Sequence, residues 1–245
     1  MGNLLSYRGH LGEALEMYRP MLQLARALGV PRSEAIGLVN MAGMLLRLGD
    51  LGNAAAAGER CLSMARELGQ RRVEGYALHT LGTIASAMDR PDEAERHLQE
   101  ALALRRETWY VSGIASTLAL QGQLHLQESP DTARKELEEA AELARSLASP
   151  GVTIATRCAL ARIGVVEFEE AAALLASDGG RIPLDEQRRA HMTLWEGGGE
   201  RTHLESAHTL LQYELLHAPT EHHEAMVSSV PINRRIVRAW AGLPS

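Results

Sequence analysis

The stretch LARALG at residues 24–29 returns as MARELG at residues 64–69, forty positions on, and more faintly as LARSLA at residues 143–148. Alanines keep the same step: Ala14, Ala54 and Ala94 lie forty apart, and Ala133 follows thirty-nine later. Four units in register are written into the chain. A period of this size belongs to repeat arrays, in which each unit buries its apolar face only by stacking on the next.

Each unit reads as two helices. In ALHTLGTIASAMDRPDEAERHLQEALALRRE, Leu81 and Gly82 lie on a first helix, Asp89-Arg90-Pro91 breaks it, and Ala94, Leu98 and Ala101 line a second. Those three stand at i, i+4 and i+7, which is one face of an α-helix. Pro91 and Pro130 suit a first turn, where a missing N–H costs nothing. Gly29 and Gly69 suit helix ends, where the backbone turns left-handed.

These residues resemble the tetratricopeptide repeat, which has an apolar-small pair in its first helix and small, bulky, small residues in its second. Leu81-Gly82 with Ala94, Leu98 and Ala101 fits the pattern. So do Ala14, Tyr18 and Met21, then Ala54, Gly58 and Cys61, then Ala133, Leu137 and Ala140. The step of about forty is longer than the usual 34 and resembles the kinesin light chain type of repeat, while HEAT-like repeats share the length and are the alternative fold. The resemblance implies an all-α, right-handed superhelical solenoid of antiparallel helix pairs over residues 1–148. Residues 149–245 then carry degenerate repeats and a C-terminal helical cap, which a solenoid needs for a polar outer face.

The same register bears on the start of the chain. Met41-Ala42 shifted by forty gives Met1-Gly2, so the first repeat is expected to be truncated and the chain to be part of a longer one. Gly2 is read as a packing glycine rather than an acylation site. Leu4 and Leu5 are expected to lack part of their cover, so that this end either frays or forms a homodimer through the truncated face.

Composition limits function. A net charge of -6 and a pI near 5.9 argue against nucleic acid as a partner, because phosphate binding needs a basic stripe. No apolar run approaches the length of a membrane helix, and no signal segment opens the chain, so a cytoplasmic location without membrane association is expected. Alanine, leucine, arginine and glycine bias points to a bacterial gene. Cys61 and Cys158 have no CxxC spacing and are read as reduced core residues. No phosphate loop, dinucleotide fingerprint or nucleophile elbow occurs, so no cofactor and no catalytic residue is assigned. His191, His203, His208, His217, His222 and His223 lack the i, i+4 pairing of a helical metal site and are read as solvated, with no metal.

After Ser149-Pro150-Gly151, SDGGRIP (177–183) and EGGGER (196–201) read as loops, and AMVSSVPINRRIVRAW (225–240) resembles the tail closing the repeat regions of large bacterial signalling proteins built on a kinase, a cyclase or an ATP-binding regulator. What remains for function is the face of the first helices turned away from the Leu-Gly packing. Asn40, Gly43 and Arg47 lie there in one unit, Tyr76, His79 and Thr83 in the next, and Leu118, Gly122 and His125 in the third. This mixture suits an extended peptide or a partner helix. The resemblance implies a non-enzymatic protein-binding scaffold, with a structural spacer or an enzyme with an unrecognised site as the alternatives. The Lys/Asn clamp with which chaperone-binding members hold a C-terminal carboxylate has no match here.

Overall fold

The computed structural model describes residues 1–243, and among them the chain is helix and turn with no strand. No helix of the described residues is long and apolar enough to cross a membrane. The chain divides into two compact units: Met1–Tyr110 with Glu214–Pro231, and Val111–Tyr213 with the chain from Ile232 onward.

The first unit opens with the short α1 (Gly2–Tyr7) and continues through α2 (Leu11–Ala27), α3 (Pro31–Arg47), α4 (Leu51–Glu67), α5 (Arg71–Ala87) and α6 (Pro91–Glu107). From α2 to α6 every helix has 17 residues. The forty-residue period is thus two equal modules, each a helix and a three-residue turn. In every turn one residue takes a left-handed backbone, and it recurs each twenty positions: Gly9, Gly29, Gly49, Gly69, Asp89 and Trp109, with φ between 52° and 81°. Glycine adopts this region without a Cβ clash and aspartate tolerates it.

The LAR-LG motif now has a physical reading. Its alanines, Ala25 and Ala65, are buried, and its glycines make the turn. Its arginines clasp the next helix: Arg26 Nε donates to Glu34 Oε1 at 2.8 Å, and forty residues on Arg66 Nε donates to Glu74 Oε1 at 3.0 Å. Arg60 adds a second bond to Glu34 at 2.7 Å. Glu34 and Glu74 are buried, and a buried carboxylate needs such partners. The motif's leucines are not core, since Leu24, Leu28 and Leu68 are exposed.

Within the pairs and between them, the helix crossings are size exchanges. A Cβ on Gly82 of α5 would lie 2.7 Å from Leu98 Cγ of α6, and one on Gly58 of α4 would lie 2.8 Å from Leu81 Cδ2. A Cβ on Gly2 would lie 3.0 Å from the Tyr18 ring, so packing accounts for this glycine. Ala14, Ala54, Ala94, Leu98 and Ala101 are fully buried as the register requires, but Met21 is 43% exposed and does not fill its slot. The equivalent Cys61 is covered by α3, where its thiol donates to the Ala35 carbonyl at 3.1 Å. Leu22 is buried in place of Met21.

The register makes a direct test. Ala94→Leu should cost about 1–3 kcal/mol by overpacking, because the α5 backbone at Gly82 faces the Ala94 carbonyl, whereas Ala103→Leu on the exposed side should stay within about 0.5 kcal/mol. Urea midpoints of the two variants measure the difference, and equal midpoints would refute the register.

The first unit also holds a late segment of the chain. The end of α12 (Arg201–Leu216) leads to a 3-10 turn (Thr220–His222) and α13 (His223–Ser228). Met226 is buried in the core of Leu11, Ala14, Leu15, Tyr18, Met41, Met44 and Leu48, against which Leu5 also packs. Leu5 is therefore covered, while Leu4 is exposed. The Gly12 N–H donates to the His217 carbonyl at 2.8 Å, and Gly49 lies so close to Ala225 that a Cβ there would be 2.3 Å from its carbonyl oxygen.

The second unit contains α7 (Val111–His125), α8 (Pro130–Ser146), α9 (Pro150–Arg162), α10 (Phe168–Asp178), a 3-10 turn at Gly179–Arg181, α11 (Leu184–Gly198), the body of α12, and α14 (Pro231–Ala241). The α7–α8 pair repeats the exchange seen between α5 and α6, with Gly122 seated on Leu137 and the Ala133 carbonyl. One loop expectation fails: residues 196–198 of EGGGER continue α11, and only Gly199, with φ 74°, ends it. The glycine at 197 makes room for Phe168, whose ring lies where a Cβ of Gly197 would be.

Candidate groove on the first helices of the repeats

The outward stripe of α3 and α5 is built by the same spacing that buries the opposite face. On α5, Leu78, Leu81, Gly82 and Ala85 pack inward, leaving Tyr76, His79 and Thr83 one turn apart on the other side. Tyr76 is 38% exposed, and Thr83 is half-buried with its hydroxyl on the His79 carbonyl at 2.9 Å. Burial first and the Arg105 charge second push the His79 pKa down to about 3, so its imidazole is neutral and serves as a hydrogen-bonding group rather than a cation. On α3, Asn40 and Gly43 are half-buried.

Arg47 has a different task. Its Nη1 donates to the Ser6 carbonyl at 2.6 Å and to Ser6 Oγ at 2.8 Å, and its Nη2 binds the buried Glu214. The guanidinium thus joins α1, α3 and the returning segment. In the second unit, His125 Nδ1 lies 2.7 Å from Glu136 Oε2. Leu118 and Gly122 leave the stripe altogether: Leu118 is buried, and Gly122 occupies the packing place forty residues after Gly82.

Sequence reasoning missed Arg105 and Tyr110. Arg105 is almost wholly buried on α6, with its guanidinium carbon 5.7 Å and 5.8 Å from the ring centroids of Tyr76 and Tyr110, and burial lowers its pKa to about 10, leaving it charged at neutral pH. An arginine among LALRRE carries no sequence mark of burial. Only the helical phase, Ala94, Leu98, Ala101 and then Arg105, reveals it.

Of two expectations about reactive side chains, the cysteines lie buried and free as expected, and the histidines do not stand as expected. Burial raises the pKa of Cys61 to about 11 and of Cys158 to about 12, which keeps both as inert thiols. The late histidines are not simply solvated: His191 and His203 meet at 2.9 Å between their Nδ1 atoms, and His208 stacks on Trp240 at 4.1 Å. The facing of α11 and α12 brings the first pair together, and burial with His203 beside it drives the His191 pKa down to about 4. No group of three metal-ligating side chains occurs among the described residues.

Residues 33–107 match the family model described as Tetratricopeptide repeat. No curated protein matches the chain. Among solved structures, the chain is similar to BtubC (BKLC) from P. vanneervenii, with 14% identity, a TM-score of 0.52, and coverage of 94% of this chain and 92% of that one. The likeness establishes the fold: all-α, tetratricopeptide-like helix pairs.

Proposed function

We propose that this tetratricopeptide-repeat chain is a non-enzymatic scaffold that binds another protein through an extended or helical segment. Repeats of this kind generally bind protein partners. The observation that carries the reading is the stripe of α5, where Tyr76, His79 and Thr83 stand in a row with an exposed aromatic ring while the opposite face of the same helix is fully packed. Asn40 on α3 extends the contact set within the first unit. Arg47 supports it from within, through Ser6 and Glu214. A cytoplasmic setting, and a place as the interaction region of a larger bacterial signalling protein, follow from the composition and from the tail at residues 225–240. Self-association through Leu4, exposed on α1, is part of the same proposal.

An array of peptides of varied sequence, probed with the full chain, tests the reading. Tyr76→Ala with His79→Ala should weaken the peptides found by about tenfold, roughly 1.4 kcal/mol, while His203→Ala with His208→Ala leaves them unchanged. An array with no bound peptide, or the opposite ranking of the two variants, would overturn it.

A further inference from the structure

The turn residue that recurs every twenty positions is glycine four times, aspartate once and tryptophan at 109, where φ is 52°. A tryptophan holds left-handed backbone against the clash of its Cβ with the following carbonyl. Packing does not compensate it, since Trp109 is 85% exposed. Strain kept at an exposed aromatic residue points to a use outside the folded chain.

The surroundings agree. Of three tryptophans, five tyrosines and one phenylalanine in the chain, Trp109, Tyr110 and Tyr76 gather here. The two tyrosine rings lie 5.4 Å apart and their hydroxyls meet at 2.7 Å. Arg72 sits over the Tyr110 ring at 4.9 Å and makes no ion pair among the described residues. Its neighbour Arg71 is already committed, to Glu74 at 3.1 Å and Glu107 at 2.6 Å. Tryptophan, tyrosine and arginine are the residues that dominate binding energy at protein interfaces.

We infer that Trp109, Tyr110, Tyr76 and Arg72 form a docking edge for an acidic polypeptide segment that also carries an apolar side chain. Trp109 covers the apolar side chain. Arg72, its guanidinium plane steadied by Tyr110, takes a carboxylate with two parallel N–H bonds. Arg105, still charged beneath both rings, adds positive potential at a point of low dielectric. Charge complementarity selects the partner, because this edge is cationic on a chain of net charge -6. The same net charge repels an anionic lipid surface, which disfavours membrane docking. The site goes beyond the groove, with which it shares only Tyr76, since Trp109 lies on the turn after α6.

The test uses the full chain and an array of dodecapeptides balanced for net charge, followed by fluorescence anisotropy of the enriched peptides. The expected binders are acidic with at least one large apolar residue, and both Trp109→Gly and Arg72→Glu weaken them tenfold or more, whereas Arg201→Glu on the exposed start of α12 does not. Trp109→Gly restores the residue type of the other turns, so its melting temperature should rise while binding falls, which separates lost recognition from lost folding. Acidic binders indifferent to Trp109→Gly, or binders that are neutral or basic, would overturn the docking edge alone. An array with no enriched peptide would overturn the scaffold reading with it. Binding of phosphatidylserine vesicles without peptide enrichment would assign the edge to lipid and also overturn the inference.

Discussion

Glu214→Ala should destabilise the first unit by about 3–5 kcal/mol, the range for removing one partner of a buried ion pair. Glu214 is 1% exposed and its partner Arg47 is largely buried as well, so the deletion takes the carboxylate from a guanidinium that lies away from water, while its bonds to Ser6 remain. The loss spreads beyond the pair. Glu214 begins the segment whose His217 carbonyl receives the Gly12 N–H and whose Met226 completes the core around Leu11, Tyr18 and Met44. Glu214→Gln keeps an acceptor for the arginine and should cost clearly less. The double variant Arg47→Met with Glu214→Ala should recover much of the loss, because no charge is then left buried. Denaturant midpoints of the four proteins decide the matter. A Glu214→Ala protein within about 1 kcal/mol of the parent would mean that this pair does not hold the segment.

The repeats were legible because their cause is local and periodic. A buried alanine, a clasping arginine and a turn glycine recur at fixed steps, and Gly29, Gly69, Ala54 and Ala94 stand where the step of forty puts them. What escaped sequence reasoning has a different origin. The size exchange places glycine on α4 at one crossing and on α5 at the next, so the motif letters alone do not reveal which helix yields. Gly122 shows the consequence: taken as a groove residue, it turned out to seat Leu137. The pairing of Arg47 with Glu214 joins residues 167 apart and leaves no periodic trace. The meeting of His191 and His203 likewise depends on the facing of α11 and α12, which the spacing of histidines along the chain does not encode. Trp109 is the reverse case. The register predicts a small residue there, and the departure is itself the signal.

Gly197→Ala offers an independent test in the second unit, and its expected sign runs against helix propensity. Inside a helix the change ordinarily gains about 1 kcal/mol. Here the new Cβ would lie 1.9 Å from Phe168 Cζ and 2.1 Å from Cε1, so ring and methyl cannot coexist. The ring must leave its place beside Ile154, Cys158, Ala171, Leu175 and Leu194. Loss of phenylalanine packing in a core costs about 3–5 kcal/mol. The ring is only half-buried and the helix gains from alanine, so the net loss should be about 2–3 kcal/mol. Gly198→Ala supplies the control one residue on. Its Cβ would make ordinary contact with Phe168, 3.8 Å from that residue's Cβ, and the variant should be as stable as the parent or slightly more so. A double-mutant cycle completes the argument: once Phe168 is alanine, Gly197→Ala should cease to destabilise and show only the helical gain. If urea midpoints for Gly197→Ala and Gly198→Ala coincide in the parent background, the ring does not occupy that place, and residues 196–198 revert to the loop their glycines first indicate.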